Sequence, residues 1–202
     1  MNGENDFSRL ELSLPAARRN YRYFRSMLRP TTKMLVLVKA NAYGHGAVEF
    51  ASMMQAEGAD YLAVAMPLEG VELRRAGVSL PVLVLTAGTD FFPEIIDYRL
   101  EPGIPNFYTL GALCDVLRGR GITGFPVHIK LDTGMHRLGF VPEELPTLAA
   151  FLQEHQEVRV RSIYSHLAVA EDPSQDEFTL WQISLFEHGA AMLTEAIGYK
   201  PM

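Results

Sequence analysis

The chain is 202 residues long, 48% hydrophobic and 21% charged, with a formal net charge of −6. This is the balance of a globular chain with enough apolar surface for a sizeable core, and its acidity argues against a nucleic-acid partner. A single cysteine, Cys114, no basic and apolar leader in "MNGENDFSRLELSL", and no run near the ~18 apolar residues of a membrane span lead to the expectation of a cytoplasmic protein without membrane contact.

In chain order, the first periodic segment is "ARRNYRYFRSMLRP", where Arg18, Arg22, Arg25 and Arg29 recur at helical spacing. They form a basic stripe opposite Leu14, Tyr21, Phe24 and Leu28. With no base-stacking platform interleaved, the stripe reads as a solvated helix face.

Short apolar runs then alternate with amphipathic ones. Strands are expected at Met34–Lys39, Tyr61–Ala65, Pro81–Thr86, Glu101–Ile104, Val127–Asp132 and Val158–His166. Helices are expected at Gly46–Glu57, Leu68–Arg75, Phe92–Arg99, Leu110–Arg118, Pro142–His155 and Asp176–Ile197. Glycines in "QAEGAD", "RRAGVS" and "RGRGIT" supply the positive φ of helix C-caps. Strict alternation predicts parallel crossovers, hence either an open doubly wound sheet or a (β/α)8 TIM-type barrel. The dinucleotide sheet calls for G-x-G-x-x-G after its first strand, which "KANAYGHGAVEF" lacks. The expected fold is therefore an α/β barrel that is incomplete, with about six βα units where closure needs eight.

In a barrel the reactive groups sit at the C-terminal ends of the strands. Lys39 closes "MLVLVK", the run expected to be the most buried. A lysine there either snorkels to water or, desolvated, offers a neutral amine nucleophile. In "VHIKLDTGMHRLGF", alternation puts His128, Lys130 and Asp132 inside the barrel, and Val127, Ile129 and Leu131 against helices. Lys130 and Asp132 then read as an ion pair, while Arg137, in a glycine-flanked loop, adds a cation suited to an anionic substrate or cofactor group. His166 ends the sixth strand, either as a hydrogen-bonded core histidine or as part of a site. Ser165 beside it faces the other way and is rejected as a nucleophile partner.

"VKANAYGHG" and "HIKLDTGMHRLGF", with "YLAVAMPLEGVELRRAG" between them and "SHLAVAED" after, resemble the alanine racemase family over nearly the whole chain. The resemblance implies a pyridoxal 5′-phosphate (PLP) enzyme that interconverts L- and D-alanine for peptidoglycan precursors and works as a homodimer. By motif position, Lys39 would bond the cofactor and act as one of two bases. Tyr43 would reach the phosphate, Leu85 would line the cofactor pocket, and His166 would lie against the ring. Arg137 would face the substrate carboxylate, and Lys130 would carry a carbamate. No metal is implied.

The resemblance also implies that residues 1–12 form a strand belonging to a C-terminal β domain, with 13–202 as a truncated PLP-binding barrel. The family's second base, a tyrosine, comes from that domain of a partner subunit, so the chain alone is expected to be inactive. Two alternatives keep the cofactor: a non-catalytic PLP-binding barrel, and a racemase for another small amino acid such as serine. A plain interaction module would carry no cofactor on Lys39.

Overall fold

The computed structural model describes residues 10–202, so the expected N-terminal strand, residues 1–12, falls largely outside the described residues. Helix α1 (Leu14–Met27) opens the described chain, with Ser13 at its N-cap and a proline in its first turn. Next come β1 (Leu35–Leu37), α2 (Lys39–Tyr43), α3 (Ala47–Ala56), β2 (Tyr61–Val64), α4 (Pro67–Arg75), β3 (Val82–Val84) and α5 (Phe92–Asp97). The chain continues through β4 (Glu101–Ile104), α6 (Phe107–Gly119), β5 (Phe125–Lys130), α7 (Leu145–Glu154), β6 (Val158–Tyr164) and α8 (Asp176–Ile197). The strands pair in chain order, β1 to β6, and every pair is parallel. Gly58, Gly77 and Gly121 take positive φ where three helices end, as their sequence context demands.

The sheet curls as a barrel wall does. A flat sheet would set β2 and β6 four strand spacings, about 19 Å, apart. Yet the Arg161 Nε of β6 donates to the Tyr61 hydroxyl of β2 at 2.9 Å, and that hydroxyl donates to the Glu101 carboxylate of β4 at 3.2 Å. His128 on β5 joins the same interior network, with Nε2 2.8 Å from Glu101 and Nδ1 2.6 Å from the Ser162 hydroxyl. Curvature is what brings these inward-facing groups together. The sheet is not closed, and the architecture is the incomplete α/β barrel that strand and helix alternation predicts.

Outside the wall, Leu62, Val64, Val82, Val84, Ile104 and Ile129 are fully buried together with helix residues Leu73, Ile95, Leu110, Leu113 and Leu148. This is the main apolar core, and burial of each such side chain is worth about 1.5–3 kcal/mol. Among the described residues, no helix is long and apolar enough to cross a membrane.

Two expectations about burial need correction. Strand β1 is not the most buried: Leu35 and Leu37 are each 38% exposed, because β1 is an edge strand and its inward side chains have a neighbour only on the β2 side. The apolar face of α1 is likewise mostly open. Tyr21 is buried, but Leu14, Phe24 and Leu28 are exposed. The helix is held through Tyr21 and Ala17 on the core, and its basic stripe adds ion pairs from Arg22 to Glu57 at 2.6 Å and Arg18 to Glu57 at 3.4 Å.

Gly103 on β4 leaves room for the Tyr164 side chain of β6: a Cβ there would lie 2.5 Å from the Tyr164 hydroxyl and 3.2 Å from the Val84 carbonyl oxygen. Gly103→Ala is expected to cost about 1–3 kcal/mol in urea denaturation, and Tyr164→Phe in the same chain should recover part of that loss. Additive losses would contradict this interior contact.

Candidate functional site

The ladder of β1 runs one residue past the strand, since the Val38 N–H donates to the Ala63 carbonyl at 2.8 Å. Val38 is fully buried and Lys39 beside it is half-buried, so the lysine stem leaves the sheet at its C-terminal edge. The short turn α2 is not an ordinary helix. Ala40, Asn41, Ala42 and Tyr43 have φ of 51°, 53°, 51° and 56°, one turn wound left-handed. For the alanines and the tyrosine this costs about 1–2 kcal/mol each, and less for the asparagine.

Hydrogen bonds hold this turn from several sides. The Ala42 N–H donates to the Val38 carbonyl at 2.9 Å, and the N–H groups of Gly44 and Gly46 donate to the Ala40 and Asn41 carbonyls, both at 3.0 Å. The Asn41 side chain caps α3 by accepting from the Ala47 N–H at 2.7 Å. From α4, Glu69 accepts the Ala40 N–H at 2.6 Å. Tyr43, 59% exposed, borders a groove against α1.

The second strand end carries Lys130, only 9% exposed, with its Nζ over the ring of Tyr164 at 5.3 Å from the centroid. Burial lowers its pKa below the ordinary lysine value, the Arg137 cation lowers it further, and Asp132 opposes them. The expected Lys130–Asp132 ion pair is not formed. Asp132 instead closes the loop ahead of it, its Oδ1 accepting the N–H groups of Gly134 and His136, both at 3.0 Å. The loop then returns to the strand, the Asp132 N–H donating to the Phe140 carbonyl at 2.9 Å and the Phe140 N–H to the Lys130 carbonyl at 2.9 Å. Arg137 rides on this closed loop, exposed, with no carboxylate within ion-pair distance among the described residues.

His166 lies two residues beyond β6 and is exposed. Its backbone is fixed by Gln182, fully buried on α8, which donates to the His166 carbonyl at 3.1 Å and accepts the Ala168 N–H at 2.9 Å. Partial desolvation lowers the imidazole pKa, the cations Lys130, Arg137 and Lys39 push it the same way, and Glu171 opposes them. The structure therefore brings Lys39, Lys130 and Arg137 into electrostatic reach of His166. Leu85, half-buried, comes directly after β3, its N–H donating to the Val64 carbonyl at 3.0 Å. Ser165 bonds to the Leu131 carbonyl at 2.9 Å and to Thr133 at 2.7 Å, on the strand side and away from any nucleophilic role.

Sequence reasoning missed Glu69, Gln182 and Tyr164. For Tyr164 a signal existed: it pairs with Lys130 in register, so period-two alternation places the two on one face. Burial pushes its phenol up to about 12, so it stays neutral beneath the lysine. At the opposite end of the strands, Cys114, His155 and Glu157 lie close together. Arg118 binds Glu157 at 2.8 Å and approaches His155 to 3.4 Å, which makes that group an ion-pair cluster.

These features define a class: a parallel α/β barrel wall with an amine, a guanidinium and an imidazole gathered at its C-terminal mouth. Residues 12–202 match the family model described as alanine racemase, N-terminal domain, and the chain belongs to that family. It is 39% identical over 191 residues to an alanine racemase of Synechocystis sp., covering 93% of this chain and 50% of that one. With an alanine racemase of Desulforamulus reducens it shares 36% over 179 residues, 87% of this chain and 48% of the relative. Among solved structures, the alanine racemase from D-cycloserine-producing Streptomyces lavendulae aligns with a TM-score of 0.86 at 30% identity, over 93% of this chain and 49% of that one. The Clostridium difficile 630 alanine racemase in complex with cycloserine aligns at 0.84 and 30%, over 91% and 50%. The chain spans about half the length of the relatives it matches.

Lys130 yields a test of the interior electrostatics. Its folded-state pKa is lowered, so between that value and the ordinary value of about 10.4 the folded chain binds fewer protons than the unfolded one. Stability from this position therefore rises with pH across that window. In bicarbonate-free buffer, Lys130→Met is expected to raise stability by about 1–2 kcal/mol at neutral pH, with the gain shrinking as pH approaches ~10. Urea denaturation at a series of pH values checks it, and a lowered midpoint at neutral pH would contradict it.

Proposed function

We propose that the chain supplies the cofactor-bonding half of a PLP-dependent alanine racemase acting in the cytoplasm. The observation that carries this reading is the position of Lys39, at the end of β1 and ahead of a strained turn, at a mouth it shares with Lys130, Arg137 and His166. Such a donor set fits the group. Three cations within electrostatic reach of one imidazole, opposed there by Glu171 and with Asp132 committed to its own loop, suit an anionic phosphate ester and a substrate carboxylate.

When bound, PLP supplies an aldehyde that takes up the lysine amine and a ring that delocalises the charge left when Cα loses its proton. The protein does the rest. Lys39 moves the Cα proton on its own face; Arg137 binds the substrate carboxylate; Tyr43 directs its hydroxyl to the phosphate; Leu85 and His166 line the ring. Lys130 fits carbamylation because only a neutral amine adds to carbon dioxide, and burial favours that form. The proton it releases leaves an anion that offsets Arg137. An opposite-face base is not among these residues, and in this reading it comes from the remaining half of the enzyme, across a homodimer.

Borohydride reduction in the presence of PLP, with subsequent peptide mapping, tests the assignment. The label is expected on Lys39; a label on Lys130 or Lys33 would overturn it. Mixed with PLP and D-alanine, the 202-residue chain is expected to form no measurable L-alanine, since loss of one positioned base costs about 10²–10⁴-fold. Turnover matching that of a full-length relative would mean the second base lies within these residues.

A further inference from the structure

We infer that Glu69 is a positioning residue for Lys39: from α4 it clamps the left-handed turn that carries the lysine out of the sheet. This inference rests on reading Lys39 as the residue that bonds the cofactor. The Glu69 carboxylate is divided between two strand ends. Its Oε2 accepts the N–H groups of Ala65 and Met66, at 2.7 and 2.9 Å, where β2 gives way to α4. Its Oε1 reaches back 29 residues to the Ala40 N–H at 2.6 Å.

A helix cap alone would need only the first of these oxygens. The second fixes the Lys39–Ala40 peptide plane, and with it the ψ of Lys39 and the direction in which its side chain leaves the wall. The need is acute here, because Ala40 begins a run of four residues with positive φ and none of them is glycine. An N–H left without an acceptor in such a conformer would favour return to the right-handed basin. An ionised acceptor is the strong form of the bond. Glutamine cannot replace it, since its amide offers one oxygen and turns an NH2 donor toward N–H groups at the other end.

The test compares the wild-type chain with Glu69→Gln under conditions where circular dichroism shows both folded. PLP is the probe: the Lys39 amine condenses with its aldehyde with loss of water, and borohydride hydride reduces the product to a stable secondary amine. The PLP concentration that half-labels Lys39 is expected to rise ~10–100-fold in Glu69→Gln. Ala40→Gly in that background should recover about fivefold, because glycine adopts positive φ without the steric cost. A glycine that recovered nothing would assign the effect to capping of α4 and overturn the inference. Amide exchange provides a readout independent of the cofactor, with protection at Ala40 expected to fall by a similar factor while Leu62 and Val82 stay unchanged. Unchanged labelling with unchanged Ala40 exchange would also overturn it. If the wild-type chain takes no label, the cofactor reading fails, and exchange at Ala40 alone decides the role of Glu69.

Discussion

Four consecutive residues with positive φ, Ala40 to Tyr43, must be held against a steric preference of about 1–2 kcal/mol at each of the three that are not asparagine, and much of the mouth is arranged around that demand. Parallel pairing of β1 with β2 brings Val38 to the Ala63 carbonyl. Helix α4 then starts where β2 ends, which sets Glu69 opposite Ala40. A right-handed continuation would run β1 straight into α3 and carry Lys39 along a helix. The left-handed turn interrupts that path and leaves the lysine at the rim.

The other strand ends are fixed by the same means, through side chains reaching to backbone. Asp132 closes the loop bearing Arg137, and Gln182 ties down the segment bearing His166. Neither anchor touches the groups that would do chemistry. Cationic side chains are thereby kept near one another at a mouth where their field on His166 outweighs that of Glu171, an arrangement unfavourable by itself and favourable to an anionic ligand.

Much of this was legible in the sequence. Alternating apolar runs identified six strands, the barrel class and the parallel crossovers, and α8 has the limits its periodicity predicts. What failed depended on neighbours. "MLVLV" reads as a strand buried on both faces, but Leu35 and Leu37 are covered only as far as the adjoining strands reach, and β1 is an edge. Two-residue spacing joined Lys130 to Asp132, while the "DTG" that Asp132 opens carried the competing signal of an aspartate binding N–H groups two and four residues ahead. In "ANAY" only the asparagine favours a left-handed conformer, while the two alanines and the tyrosine disfavour it. Local hydrogen bonds within residues 38–47 and one contact from 29 positions away hold the turn, and the latter cannot be read from local propensity.

The most direct measurement is a crystal structure of the chain grown with PLP. It should show positive φ at all four residues from Ala40 to Tyr43, and density continuous from the Lys39 Nζ to the former aldehyde carbon of the cofactor. A right-handed turn at these positions, or density joining the cofactor to a different lysine, would contradict the central claim.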